Sequence, residues 1–164
     1  MSAVRRLSLG SLLPQNPNGS MSPPQEVIRE AVLLPKVHQV YLVDDHPLVL
    51  EWLAHLVDQQ RDFAVCGACQ RAPDALEAIT RLRPDVAVVD IRFPDGDSGL
   101  HLIEAITRQS PSTAVLAFTI LEEGIYGKRA LRAGVRGYVM KRQGAKHLID
   151  AIRTVLNGEC YFNR

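Results

Sequence analysis

The sequence predicts an α/β protein whose five parallel strands form one doubly wound sheet. Three observations point there. Short apolar runs alternate five times with longer amphipathic segments between residues 37 and 158. One of those runs, Val86-Ala87-Val88-Val89, carries no polar residue, the pattern of a strand covered on both faces. Helix starts and stops fall between the runs, at Pro47, Pro84, Pro111, Gly134 and Gly158. Five βα units with right-handed crossovers favour the flavodoxin-like strand order 2-1-3-4-5, which makes the first and third strands neighbours at the switch point.

The first strand is expected over Val37–Val43. A helix follows over His46–Asp58, with Pro47 in its first turn, where a missing N–H costs little. Leu48, Val49, Trp52, Leu53 and Leu56 are expected on its inward side. The second strand is Phe63–Ala68, and Ala72–Leu82 is a helix with Leu76 and Ile79 inward. The third strand, Val86–Val89, precedes a helix over Ser98–Gln109 that stops before Pro111. The fourth strand, Ala114–Phe118, precedes a helix over Glu122–Ala133, with Gly134 as its C′ residue. Gly137–Met140 is the fifth strand. Ala145–Leu156 is the last helix, with Leu148, Ile149, Ile152, Val155 and Leu156 as its apolar residues.

Residues 1–36 differ from the rest. They hold five prolines among Ser, Asn and Gly and read as a flexible arm, with Glu26–Leu34 able to form two helical turns. Residues 37–158 form the domain, and 159–164 read as the start of a linker. Arg5 and Arg6 precede a Leu-rich piece, but its apolar region is too short for an export signal and ends at Pro14. The chain has 164 residues, 46% of them hydrophobic, and a formal charge of +1, so no strong field points to nucleic acid or membrane. No apolar run is long enough to span a bilayer. The expected location is the cytoplasm, which also suits three cysteines without a disulfide framework. Cys66-Gly67-Ala68-Cys69 is formally a C-x-x-C, yet it lies on a strand rather than at a helix N-terminus, where such thiols gain reactivity. Period two predicts its thiols on opposite faces.

The chemistry gathers at the strand ends. Strand one ends in Asp44-Asp45, strand three in Asp90, strand four in Thr119 and strand five in Lys141. Alone, each has an ordinary explanation: a turn former, a solvated pair, a lone hydroxyl or a lone amine. Together they fall at four of five strand ends, on the edge where open α/β sheets bind ligands. Adjacent carboxylates repel unless a cation offsets them, and Mg²⁺ takes oxygen ligands of this kind. The set suits transfer of a phosphoryl group to Asp90 as nucleophile, with the metal and Lys141 neutralising the equatorial oxygens and Thr119 bonding one of them. His46 invites a His-Asp metal site, but Pro47 directly after it favours a helix-start role. A haloacid-dehalogenase-like hydrolase needs a second Asp two residues after the nucleophile, where this chain has Arg92.

These residues resemble the receiver domain of two-component response regulators over about His38–Gly158. The resemblance rests on V-D-D at 43–45, D-I-R-F-P-D-G at 90–96, F-T at 118–119 and G-Y-V-M-K at 137–141. It implies phosphorylation of Asp90 by a histidine kinase or phosphotransfer protein, and Mg²⁺ held by Asp45, Asp90 and the Arg92 carbonyl, with Asp44 tuning the site. It implies that Thr119 and Tyr138 form a coupled switch pair. It also implies a switch that at most catalyses its own phosphorylation and slow dephosphorylation. D-D-H-P-L and L-N-G-E-C-Y-F are similar to the LuxR/FixJ-type subfamily, whose output is a helix-turn-helix DNA-binding domain. No recognition helix lies in this chain, so DNA contact would need a domain outside it. A homodimer and control of transcription are the expectations. The alternatives are a stand-alone receiver and a phosphorylation-independent scaffold.

Departures from the family pattern are local. The loop after Asp90 is one residue longer, through Asp97-Ser98. Arg142 follows Lys141 where Pro is frequent, and Ile120 follows Thr119 where a small residue is frequent and crowds access to the phosphoryl group. Arg92 and Leu121 occupy the two positions that in this family tune hydrolysis; both are bulky, which predicts slow self-dephosphorylation.

Overall fold

In the computed structural model, which describes residues 36–94 and 98–162, the alternation resolves into five strands and five main helices. The strands are β1 (His38–Val43), β2 (Phe63–Cys69), β3 (Val86–Val89), β4 (Ala114–Thr119) and β5 (Gly137–Met140). The helices are α1 (Pro47–Asp58), α2 (Ala72–Leu82), α3 (Ser98–Gln109), α4 (Glu123–Ala133) and α5 (Ala145–Leu156), with a 3₁₀ turn at Lys141–Gln143. All pairings are parallel, in the order β2-β1-β3-β4-β5. The arm, the helical turns at Glu26–Leu34 and the lengthened loop through Asp97 lie outside the described residues.

The sheet separates two apolar layers. One sets Tyr41, Val43, Ala87 and Val89 against Ile79, Ile103 and Ile106 of α2 and α3, and reaches Ala130 of α4. The other sets Val40, Leu42, Val86, Val88 and Phe118 against Leu50, Leu53 and Val57 of α1 and Leu148 and Ile152 of α5. All four residues of β3 are buried, because helices cover both faces of the central strand. Pro47 begins α1, and Gly134 ends α4 at φ 108°, a left-handed conformation open to glycine without strain.

Two expectations about faces are corrected. On α1 the buried residues are Leu50, Leu53 and Val57, while Leu48 is 78% exposed. Nearly every side of this helix is apolar, so periodicity left its rotation open. On β2, Cys66 and Cys69 pack against the same apolar layer, not opposite ones. The pairing with β1 slips at Cys66, so that Val40 faces Val65 while Tyr41 faces Gly67. The extra residue breaks period two. Burial raises the pKa of the Cys66 thiol, which makes it a poorer nucleophile.

After α5 the chain returns to the sheet. The Tyr161 amide donates to the Arg136 carbonyl at 2.9 Å, and the Tyr138 amide donates to the Tyr161 carbonyl at 2.8 Å. The start of the segment read as a linker therefore lies along the outer edge of β5. No helix among the described residues is long and apolar enough to cross a membrane.

Candidate functional site

Every polar strand end predicted to matter lies at the carboxyl edge of the sheet. The backbone fixes two of them. The Asp90 amide donates to the Val43 carbonyl at 2.9 Å, and the Asp44 amide donates to the Cys69 carbonyl at 3.2 Å. The ladder is thus carried one residue past the strands, and the carboxylates are placed by sheet hydrogen bonds rather than by loops.

Lys141 joins the two segments. Its Nζ lies 2.6 Å from Asp44 Oδ2 and 2.5 Å from Asp90 Oδ2. Asp44 and Asp90 are 1% and 3% exposed as residues, so these are buried ion pairs that also satisfy hydrogen bonding. Burial pushes the ammonium pKa down. The hydrogen bonds and charges of Asp44 and Asp90 outweigh it and hold the pKa above the ordinary lysine value. The other oxygens of both carboxylates are also held: Asp44 Oδ1 accepts from the His46 amide at 3.0 Å, and Asp90 Oδ1 from the Arg92 amide at 2.9 Å.

Asp45 differs. Its Oδ1 is buried and accepts no hydrogen bond, and the His46 Nδ1 lies 2.8 Å away. The same Nδ1 is 3.2 Å from Asp44 Oδ1. His46 is the N-cap residue of α1, as its helix-start reading implies, but its side chain makes no capping bond. The ring turns into the acidic cluster, a placement the sequence reading set aside. A buried carboxylate oxygen approached only by a histidine nitrogen, close to Asp44 and on the same cavity as Asp90, fits a hard cation that takes oxygen ligands.

Asp45, Asp90, Arg92 and Lys141 line a cavity of about 980 Å³ with His46, Phe93, Pro94, Ile120, Leu121 and Tyr126. Asp44 lies outside this lining and reaches the site through Lys141. Thr119 is fully buried and is tied to the rim by the Leu121 amide, 3.4 Å from Thr119 Oγ1. Tyr138 is also fully buried, and its hydroxyl donates to the Leu121 carbonyl at 3.0 Å. The predicted pair Thr119 and Tyr138 thus converge on one residue, Leu121. Burial keeps the Tyr138 hydroxyl well above the usual phenol pKa. Ile120 is 57% exposed at the mouth. The sequence reading did not find the bidentate ion pair of Arg142 with Glu122, at 2.5 and 3.0 Å. That pair joins the residue after Lys141 to the N-cap of α4 across the sequence.

Beneath Lys141 lies an aromatic stack. Its Nζ is 5.9 Å from the Phe118 ring centroid, and the single tryptophan, Trp52, stacks on Phe118 at 6.2 Å and 19°. Trp52 emission is expected to change when Mg²⁺ is titrated into the protein, through the response of Lys141 and Phe118. The change should disappear in Phe118→Leu; a variant that keeps it would show that the signal reaches Trp52 by another route.

A doubly wound sheet with an acidic pocket at its carboxyl edge defines the class of the receiver domain. The chain belongs to the response regulator receiver domain family, whose model matches residues 40–153. Receiver domains bind Mg²⁺ at an acidic pocket, and Asp44, Asp45 and His46 form an acidic cluster here. Among curated relatives, the oxygen regulatory protein NreC of Staphylococcus epidermidis is 31% identical over 123 residues, 75% of this chain and 56% of NreC. The chain therefore spans about half the length of that relative. A LuxR-family response regulator from Aurantimonas sp. SI85-9A1 is similar in structure, with TM-score 0.73 and 28% identity, covering 77% of this chain and 90% of the other. The response regulator domain of Thermotoga maritima CheB gives TM-score 0.69 and 30% identity, covering 74% and 98%. The receiver is of the type carried by LuxR-family regulators.

Proposed function

We propose that this chain is the phosphoacceptor of a two-component response regulator, phosphorylated on Asp90 by a histidine kinase or phosphotransfer protein with Mg²⁺. The observation that carries this reading is the convergence of Asp44 and Asp90 on Lys141, at a cavity that Asp45 also lines. An Asp90 oxygen attacks phosphorus through its remaining lone pair. The new O–P bond forms as the bond to the donor breaks, and the leaving group keeps the electron pair. Asp45, Asp90 and the Arg92 carbonyl would hold the metal. Magnesium, when bound, supplies positive charge against the phosphoryl oxygens. Lys141 faces Asp90 and supplies a second positive charge, and Asp44 keeps that ammonium oriented.

Thr119 and Tyr138 then act as the switch. A phosphoryl group offers new acceptor oxygens to the Thr119 hydroxyl, and Leu121 links that movement to the Tyr138 ring. The output is control of transcription, through a homodimer and a DNA-binding domain outside this chain. The test is Mg²⁺-dependent incorporation of phosphate from acetyl phosphate, read by intact mass. A protein with the fold but no incorporation would be the interaction scaffold. The Asp-nucleophile hydrolase is disfavoured by an exposed Arg92 where its general acid would stand.

Arg92 and Leu121 wall the approach to Asp90. Self-dephosphorylation is therefore slow, because two bulky side chains crowd the path of the attacking water. Leu121→Asn is expected to shorten the acyl-phosphate half-life several-fold. An unchanged half-life would count against steric shielding.

A further inference from the structure

We propose that His46 is itself a ligand of the divalent ion, through Nδ1, and that this nitrogen biases the site toward first-row ions that accept imidazole. The proposal rests on the phosphoacceptor reading, which brings an ion to this edge of the sheet. It begins with a side chain that its place in the helix does not use. His46 is the N-cap residue of α1, but Pro47 opens the helix and the ring makes no capping bond. Its Nδ1 lies instead 2.8 Å from Asp45 Oδ1 and 3.2 Å from Asp44 Oδ1.

Those separations are the edges of a coordination shell. Bonds of about 2.1 Å to an octahedral ion set neighbouring donors about 3.0 Å apart. One N–H serves two carboxylate oxygens poorly, whereas one ion serves a nitrogen and an oxygen together. Asp44 is committed elsewhere, with Oδ1 accepting from the His46 amide and Oδ2 from Lys141. Asp45 and His46 are the adjacent donors left, and Asp90 and Arg92 line the same cavity. Asp45, Asp90, the Arg92 carbonyl and His46 would fill four of six positions, leaving two for a phosphoryl oxygen and a water. The other nitrogen-bearing side chains on the cavity, Arg92 and Lys141, are cations with no lone pair to give. The His46 ring is 66% exposed, so Nε2 can keep its proton in contact with water while Nδ1 presents a lone pair.

The consequence is selectivity. Oxygen donors alone suit Mg²⁺, whereas an imidazole nitrogen favours ions such as Ni²⁺. The nitrogen is also neutral, so it adds a ligand without adding to the charge of three carboxylates. A ring that acted only as a charge partner of Asp44 and Asp45 would do the reverse: it would compete with any ion, and its removal would tighten the binding of all of them.

The experiment is calorimetric titration of the full chain with Mg²⁺ and with Ni²⁺, separately and in competition, in wild type and in His46→Gln. Mg²⁺ should displace Ni²⁺, which assigns both ions to one site. His46→Gln should weaken Ni²⁺ binding by at least about tenfold, since even a residue that only supports a ligand is worth that much. Mg²⁺ affinity should change by less than about threefold, because glutamine offers an oxygen in place of the nitrogen. Pulsed EPR of bound Mn²⁺ gives a second readout, a nitrogen coupling in wild type that the variant lacks. Equal changes for the two ions, Ni²⁺ that Mg²⁺ fails to displace, or no nitrogen coupling would each overturn the ligand role and leave the phosphoacceptor reading standing. Wild type that binds no Mg²⁺ at millimolar concentration would overturn that reading as well.

Discussion

Asp90→Asn is expected to take phosphate incorporation from acetyl phosphate below detection while leaving the fold intact. The loss follows from chemistry: an amide oxygen has neither the charge nor the nucleophilicity to form the O–P bond. Retention of the fold follows from charge. The site holds three carboxylates, Asp44, Asp45 and Asp90, against one ammonium on Lys141. Asparagine still offers an oxygen to the Arg92 amide, now 2.9 Å from Asp90 Oδ1, and removes one member of a mutually repelling set. The lost bond to Lys141 and the relieved repulsion oppose each other, so stability should stay within about 1 kcal/mol. Asp90→Ala should do worse, because it leaves the Arg92 amide without its acceptor. Thermal melts of both variants beside the incorporation assay separate lost chemistry from lost structure. Incorporation persisting in Asp90→Asn would move the phosphoacceptor elsewhere.

What the sequence revealed and what it hid divide along physical lines. β3 was legible because four apolar residues in a row leave few places but the centre of a sheet. The site was legible because strand ends with matching chemistry are few, and the sheet brings them to one edge. The faces of α1 and β2 were not. A helix that is apolar nearly all round has no unique inward side, and a one-residue slip at Cys66 reverses every parity argument beyond it. His46 was legible as a helix start but not as a neighbour of Asp44 and Asp45, because the backbone turn that brings its exposed ring beside them has no residue signature. The return of the chain to β5 at Tyr161 was hidden for a related reason. Backbone hydrogen bonds are available to nearly every residue, so a single bridge leaves no composition signal. Gly137 carries the one trace, an absent side chain that reads equally well as a strand start.

Lys141→Met should lose about 3–5 kcal/mol of stability in the absence of divalent cation, the cost of stranding a buried charge without its partner. Asp44 and Asp90 are almost fully buried, and both turn an oxygen to the same Nζ. Methionine fills most of the volume of the lysine stem, so the loss would be electrostatic rather than a cavity effect. Two further measurements distinguish these causes. Mg²⁺ should restore part of the stability of the variant, since a ligand bound only by the folded state stabilises it by mass action, about 2.7 kcal/mol at a hundredfold excess over Kd. A cavity would leave the gain from Mg²⁺ equal to that of wild type, whereas relief of stranded charge would make it larger. The second is pH. The folded-state pKa of Lys141 lies above its ordinary value, so its contribution is fully present below about pH 10.5 and is lost as pH rises through the folded pKa. Wild-type urea melts should therefore show an alkaline decline beyond that point that the methionine variant lacks. A variant that is as stable as wild type without Mg²⁺ would mean that Asp44 and Asp90 need no cation. The reading of this strand edge as an assembled site would then fail at its centre.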